Sequence, residues 1–169
     1  ILEIADGRLQ FAHDRIREGI LHLTDPDELS QLHAEAARAL EQAFAHDQLY
    51  DAILARHWAA AHDETQELRY TLAAGQQAIR LNQFTAARTY YERALFLLPD
   101  DDPRTVGAVE QLGKLYHTIG QFEDVLTLYT HLLALPQIGV EPRIEALVTL
   151  ADAMRRCGNP ENAEALLVQ

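Results

Sequence analysis

Cysteine occurs once in the 169 residues, as Cys157. No intramolecular disulfide can form, so packing alone must hold the chain together. A lone thiol fits a reducing compartment, and the expected location is cytoplasmic. Serine and lysine also occur once each, as Ser30 and Lys114. Ser30 has no base at a recognisable spacing, which leaves nothing for nucleophilic acyl transfer. No apolar run is long enough to cross a bilayer, and no charged-then-apolar leader opens the chain. Cation is scarce: 14 Lys and Arg oppose 26 Asp and Glu, a formal net charge of −12. Such a chain repels phosphate backbones, so no nucleic-acid partner is expected. The imbalance is uneven, with 14 acidic and 5 basic side chains in residues 1–67 against 12 and 9 in residues 68–169.

Sites for chemistry are equally sparse. The eight histidines form no H-x-x-x-H pair and no Cys-His cluster. His57 and His62 are five apart, a poor fit to one helix face, while His13-Asp14 and His46-Asp47 are neighbours that point apart on a helix. The nearest approach to a phosphate loop runs from Gly107 to Gly113-Lys114-Leu115. It has five residues between the glycines where a P-loop needs four, and Leu115 stands where Ser or Thr is required. No catalytic residue, cofactor or metal site is expected, and the chain is not read as an enzyme.

What the chain does contain is a period. The six prolines and eight glycines punctuate apolar-periodic runs, which favours an all-helical chain. Between Thr71 and Pro99 two such runs meet at Asn82-Gln83. The first carries Ala74-Gly75; the second carries Phe84, Ala87, Tyr91 and Ala94 on one face. This predicts two antiparallel helices so close that only Gly or Ala fits at the contact, with Tyr91 filling the space beside it. Gly75, Gly113 and Ala151 recur at an offset of 38, as do Ala87, Val125 and Ala163, and Tyr91, Tyr129 and Leu167. The interruptions Asn82-Gln83-Phe84, Gly120-Gln121-Phe122 and Gly158-Asn159-Pro160 keep the same step. Fixed-period self-similarity is the mark of a solenoid. Tyr90, Tyr91 and Phe84 are therefore read as core rather than as a ligand cage.

Each unit resembles a tetratricopeptide repeat. Gly75, Ala87, Tyr91, Ala94 and Pro99 match that family's small, small, aromatic, small and helix-ending positions; Leu112, Gly113, Tyr116, Tyr129 and Pro136 match in the second unit. The spacing exceeds the family's usual 34 or so, and Thr71 or Val109 stands where its early Trp is expected. The resemblance implies an all-α, right-handed superhelix of antiparallel helix pairs, with repeats at about 68–102, 106–139 and 144–169, the last truncated.

Upstream of the repeats, residues 1–24 read as a β-hairpin and a short helix. Leu2, Ile4, Leu9 and Phe11 alternate with polar residues around an Asp6-Gly7 turn. His13 to about Leu23 continues as a helix with Ile16, Ile20 and Leu23 on one side. Residues 25–66 read as a degenerate helical pair. Asp25-Pro26-Asp27-Glu28 is a helix start and capping box; the first helix runs to about Ala45 with Leu29, Leu32, Ala36 and Leu40 inward. The second runs from Gln48 to Ala61 with Leu49, Ile53 and Trp58 as anchors, and Asp63 or Thr65 caps the next helix. A hairpin, the segment Phe11 to Ile20, then LHAEAARALE, LARHWAAAHD and the repeats form an order of elements with a resemblance of its own. It resembles the region after the nucleotide-binding domain in signal-transduction ATPases with numerous domains, a group that includes multidomain bacterial transcriptional activators. That resemblance covers about the first 100 residues. It implies that residues 2–11 are a wing, that the ATPase lies upstream, and that this chain is a piece of something longer.

In tetratricopeptide arrays the first helix of each unit lines a concave groove. By the offset, the groove positions are Arg69, Leu72, Gln76, Ile79 and Arg80, then Glu110, Lys114, His117 and Thr118, then Glu145, Val148, Asp152, Arg155 and Arg156. Arg69, Arg80, Lys114, His117 and Arg155 read as a basic strip, and Leu72, Ile79 and Val148 as its apolar contacts. The expected partner is a protein or peptide, acidic with a large apolar residue, or another domain of the same chain. A chaperone-tail clamp is not expected, because Leu72, Gln76, Gln111, Glu145 and Thr149 depart from its pattern. The alternative is a small-molecule inducer-binding domain of a transcriptional activator. Ala151, Ala163, Leu166 and Leu167 are expected to leave an apolar C-terminal edge that supports self-association.

Overall fold

The computed structural model describes residues 2–5, 8–11, 14–44, 47–135 and 138–167. They divide into two compact units, Ile1–Glu67 and Leu68–Gln169.

In the first unit, strands β1 (Leu2–Ala5) and β2 (Arg8–Phe11) pair antiparallel, with Leu2 opposite Phe11 and Ile4 opposite Leu9. The Asp6-Gly7 turn, the apolar side chains of the pair, Ile16 and the start at His13 lie outside the described residues. Helix α1 covers Asp14–Leu23 and α2 covers Pro26–Ala43. Asp25 caps α2: its Oδ1 accepts the amides of Asp27 and Glu28 at 2.9 and 3.4 Å, and Pro26 takes the first helical position, where no amide hydrogen is needed.

Of the residues expected inward, Leu29, Ala36 and Leu40 are half-buried and Trp58 is buried, while Leu32, Leu49 and Ile53 are exposed. Ala37 is the fully buried residue of α2, whereas Leu32 is 49% exposed. The seam that faces the next helix is small and polar: Ser30 Oγ donates to the Ala61 carbonyl, and His33 Nδ1 meets His57 Nδ1 at 3.0 Å. After Asp47 the chain takes a 3-10 turn, Gln48–Tyr50, before α3 (Asp51–Ala60) begins. A 3-10 turn advances three residues rather than 3.6, which resets the phase of the following helix. Leu49 is thereby 71% exposed and Ile53 37% exposed, while Leu54, Ala55 and Trp58 are buried. Trp58 Nε1 donates to Glu41 Oε1 at 3.0 Å, which satisfies the one polar group of the buried indole.

The second unit is built from α4 (Glu64–Arg80), α5 (Phe84–Leu97), α6 (Pro103–Thr118), α7 (Phe122–Ala134), α8 (Val140–Arg156) and α9 (Pro160–Leu167). Helices next to each other in sequence pack together from α5 to α9. One apolar core runs through Ala87, Tyr91, Val109, Leu112, Val125, Tyr129, Leu132 and Leu150. Phe84 and Tyr90 pack against it as partly buried side chains. Pro103 and Pro160 open helices, and Asp102 caps α6 by accepting the Arg104 amide at 2.8 Å.

The turns within the pairs share one hydrogen-bond pattern. Gln83 N–H reaches the Ala78 carbonyl, Gln121 N–H that of Tyr116 and Asn159 N–H that of Met154, at 2.8 to 2.9 Å. Each bond closes over a left-handed residue: Asn82, Gly120 and Gly158, with φ of 57°, 78° and 83°. This is the Schellman ending, in which a left-handed residue lets the last carbonyls of a helix find partners. Asp63 N–H bonds the Trp58 carbonyl in the same way over His62, at φ 56°. Asp63 is also the residue that caps α4, its Oδ1 accepting the Gln66 amide at 3.0 Å.

The small–aromatic contact sits at the heart of the first two pairs. A Cβ built on Gly75 would lie 3.1 Å from Tyr91 Cε2, and one on Gly113 would overlap the Tyr129 ring and come within 2.6 Å of its hydroxyl oxygen. Both rings are buried, so neither can swing away cheaply. In the third pair Ala151 replaces Gly and is fully buried, as is Ala163. Leu166 packs against the core, and the Leu167 side chain lies outside the described residues. Ala151 and Ala163 thus add nothing to an exposed edge: both are fully buried.

These contacts order three alanine substitutions. Gly107 lies in α6 with nothing near its Cβ position, so Gly107→Ala should stabilise by about 0.5–1 kcal/mol through helix propensity alone. Gly113→Ala should destabilise by about 1–3 kcal/mol through overpacking, with Gly75→Ala between the two. Thermal unfolding of the three variants checks this, and equal shifts for Gly107→Ala and Gly113→Ala would remove the close approach.

Candidate functional site

Helices α6 and α8 are the first helices of consecutive pairs, and their outward faces share a cleft of about 390 Å³. From α6 come Glu110, Lys114, His117 and Thr118; from α8 come Glu145, Val148, Thr149 and Asp152. Residues three, four, seven and eight apart share a helix face. The 38-residue offset relates Glu110 to Val148 and Lys114 to Asp152, but carries His117 and Thr118 to Arg155 and Arg156, which do not line the cleft. Tyr129 of α7 also lines the cleft, between the two rows. It is 3% exposed and its hydroxyl is hydrogen-bonded to Thr149. Burial pushes the Tyr129 phenol up from its ordinary pKa, and the nearby Glu110 and Glu145 carboxylates add to that push. Sequence reasoning treated Tyr129 only as packing. Its offset from Tyr91 marked the residue, but nothing in the sequence showed that it also lines the cleft.

The charges pair differently from the expected strip. His117 Nε2 lies 2.9 Å from Asp152 Oδ2, and Arg156 Nε donates to the same oxygen at 2.9 Å. These bonds, that from His117 first, hold the Asp152 carboxyl below the usual carboxylate range. Phe122 braces the arrangement. Its ring meets the His117 ring edge-on at 5.4 Å, and the Arg156 guanidinium lies 5.2 Å from its centroid.

Of the residues expected at the groove, Glu110, Lys114, His117, Thr118, Glu145, Val148 and Asp152 line this cleft. Arg155 is exposed but does not line it. Arg69, Gln76 and Arg80 are exposed on α4, away from this lining, and Leu72 and Ile79 are partly buried against the core of the unit. Of the expected strip, Lys114 and His117 line the cleft and Arg69, Arg80 and Arg155 do not. Counting cations along single helices missed the pairing of Asp152, which stands four residues before Arg156 and faces His117 across the helix pair.

Other candidate chemistry is absorbed by the fold. Gly107, Gly113 and Lys114 lie within helix α6, not on a phosphate-binding loop. Among the described residues, no three His, Cys, Asp or Glu side chains converge on a point that could hold a metal ion, and no helix is long and apolar enough to cross a membrane. His46 lies outside the described residues.

The His33–His57 pair in the first unit is a titrating contact. Burial lowers the His57 pKa below its ordinary 6.5, and the charges of His33 and Arg56 lower it further. The unfolded chain therefore binds more protons at His57 than the folded one as pH falls through that value, so stability is lost on acidification. The melting temperature of the first unit should fall from pH 7.5 to 5.5, and His57→Gln should flatten the decline. An equally steep profile in the variant would assign the loss to other groups.

Antiparallel helix pairs, the first two closed on a small–aromatic contact, define a helical-repeat scaffold. Comparison with known families agrees: residues 108–138 match the tetratricopeptide repeat. A crystal structure of the nearly identical TPR-like repeats of a protein provisionally assigned as a kinesin light chain of Podosopora anserina aligns with a TM-score of 0.51. It has 16% identity and covers 93% of this chain and 94% of that one. A single-substitution variant of those repeats aligns with a TM-score of 0.52 and 17% identity, covering 95% of each chain. At these identities the likeness is one of fold. No curated protein matches the chain. TPR-like repeats generally mediate protein–protein interaction.

Proposed function

We propose that the chain is a non-catalytic interaction segment that holds a peptide, or part of a neighbouring domain, across the first helices of its repeats. The observation that carries this reading is the α6–α8 cleft: the first helices of two consecutive pairs line one concavity, with Tyr129 between them. An apolar ridge extends it. Val140, Ile144 and Val148 stand four residues apart on α8 and are 78%, 56% and 53% exposed, an unusual row of β-branched side chains to leave in water. A segment of another chain could lie along this ridge and place one side chain in the cleft.

The setting is proposed from the sequence resemblance: a signalling or transcription-regulating protein with a nucleotide-binding domain upstream. A Walker motif encoded in the same gene before Ile1 is the expected finding, and its absence would remove that setting but not the binding reading. A volume of about 390 Å³ also lies within the range of small-ligand sites, which keeps an inducer domain as the second reading.

Selection from a random peptide display library tests the main reading. Enriched peptides should lose binding when Ile144→Gln and Val148→Gln are combined, and keep it with Phe96→Ser, an exposed aromatic on α5 outside the cleft. Binding that survives the first change and is lost with the second would move the site elsewhere.

A further inference from the structure

We infer that the α6–α8 cleft selects a peptide presenting a lysine or arginine beside a large apolar residue, with Glu110 and Glu145 receiving the cation and the α8 ridge receiving the apolar neighbour. This deepens the peptide-binding reading and rests on it.

The lining carries three carboxylates, Glu110, Glu145 and Asp152, against Lys114 and His117. Asp152 is already engaged by His117 and Arg156. Glu110 and Glu145 have no ion pair among the described residues, and they come from opposite walls of the cleft. Both line the cleft together with the buried Tyr129. A guanidinium or ammonium entering between the two walls would meet two carboxylate acceptors, a combination that favours cations. Lys114 leaves this pair of carboxylates with an excess of one negative charge, so an acidic peptide finds a single cation and two repelling groups. Val148 lines the cleft three residues from Glu145 and continues into Ile144 and Val140. The apolar and acidic elements are therefore adjacent, and one short segment can reach both.

The probes are three fluorescein-labelled nonapeptide amides of one design, with a central leucine flanked by lysines, glutamines or glutamates. Binding is followed by anisotropy at two salt concentrations. The lysine peptide should bind most tightly and weaken as salt rises. Combining Glu110→Gln with Glu145→Gln should weaken it about tenfold, the loss of one to two charge-assisted hydrogen bonds. Combining Glu161→Gln with Glu164→Gln removes as much charge from exposed positions on α9 and should leave the affinity unchanged. Equal weakening by both pairs would reduce the effect to net charge and overturn the inference. Preference for the glutamate peptide would overturn it as well. Lysine-peptide binding that ignores Glu110→Gln/Glu145→Gln but is lost with Ile144→Gln/Val148→Gln would remove the cation site and leave the peptide reading standing. If no probe responds to the ridge variant, both fall. Glu110 is half-buried and Glu145 exposed, and an unchanged melting temperature will confirm that the variants stay folded.

Discussion

A tyrosine ring laid against a glycine backbone sets the geometry of the second unit. A helix can approach its neighbour this closely only where no Cβ stands between them, and the ring then fills the gap that a smaller side chain would leave empty. Gly75 with Tyr91 and Gly113 with Tyr129 are two copies of this contact. The rings fix the spacing of the second helix against the first, and the first helices then present their outer rows together. The cleft between α6 and α8 is a by-product of that spacing, with the Tyr129 ring of the packing contact lining it. One side chain thus serves both the core and the cleft.

Most of this unit was legible because its signals are local or periodic. Gly113, Val125 and Tyr129 could be placed from Gly75, Ala87 and Tyr91 by adding a constant, and the structure buries all six. The same constant relates Glu110 to Val148 and Lys114 to Asp152 across the cleft, but it does not reach Thr149. The first unit was less legible because it lacks that repetition. There Ser30 and His33 occupy a helix contact that an apolarity pattern leaves to solvent. The 3-10 turn at Gln48–Tyr50 was invisible to a helical count, and it rotated Leu49 and Ile53 outward. It is held by the Phe44–Tyr50 stack, at 4.1 Å between ring centroids, a pairing six residues apart that no single helix could make.

The character of the cleft was the least legible feature. Residue types were read correctly, but charge depends on who neutralises whom. Asp152 draws in both His117 and Arg156, so two apparent groove cations are spent within the protein. Arg155, one residue earlier, turns out of the cleft. Among the described residues Glu110, Glu145 and Lys114 of the lining form no ion pair, and their net charge has the opposite sign from the strip that the sequence suggested. Such reversals arise wherever function rests on a small difference between paired charges, since one side chain's rotation decides the sign.

The burial of Trp58 also has an optical consequence. It is the one tryptophan of the chain and lies in the first unit, 4% exposed, with its indole hydrogen-bonded to Glu41. The large buried aromatics of the second unit are tyrosines. Emission excited at the red edge of the indole band therefore watches the first unit only, while helical circular dichroism sums both. The two signals measured on one sample can distinguish a chain that melts as a single cooperative block from one whose units part company, with no label and no truncation.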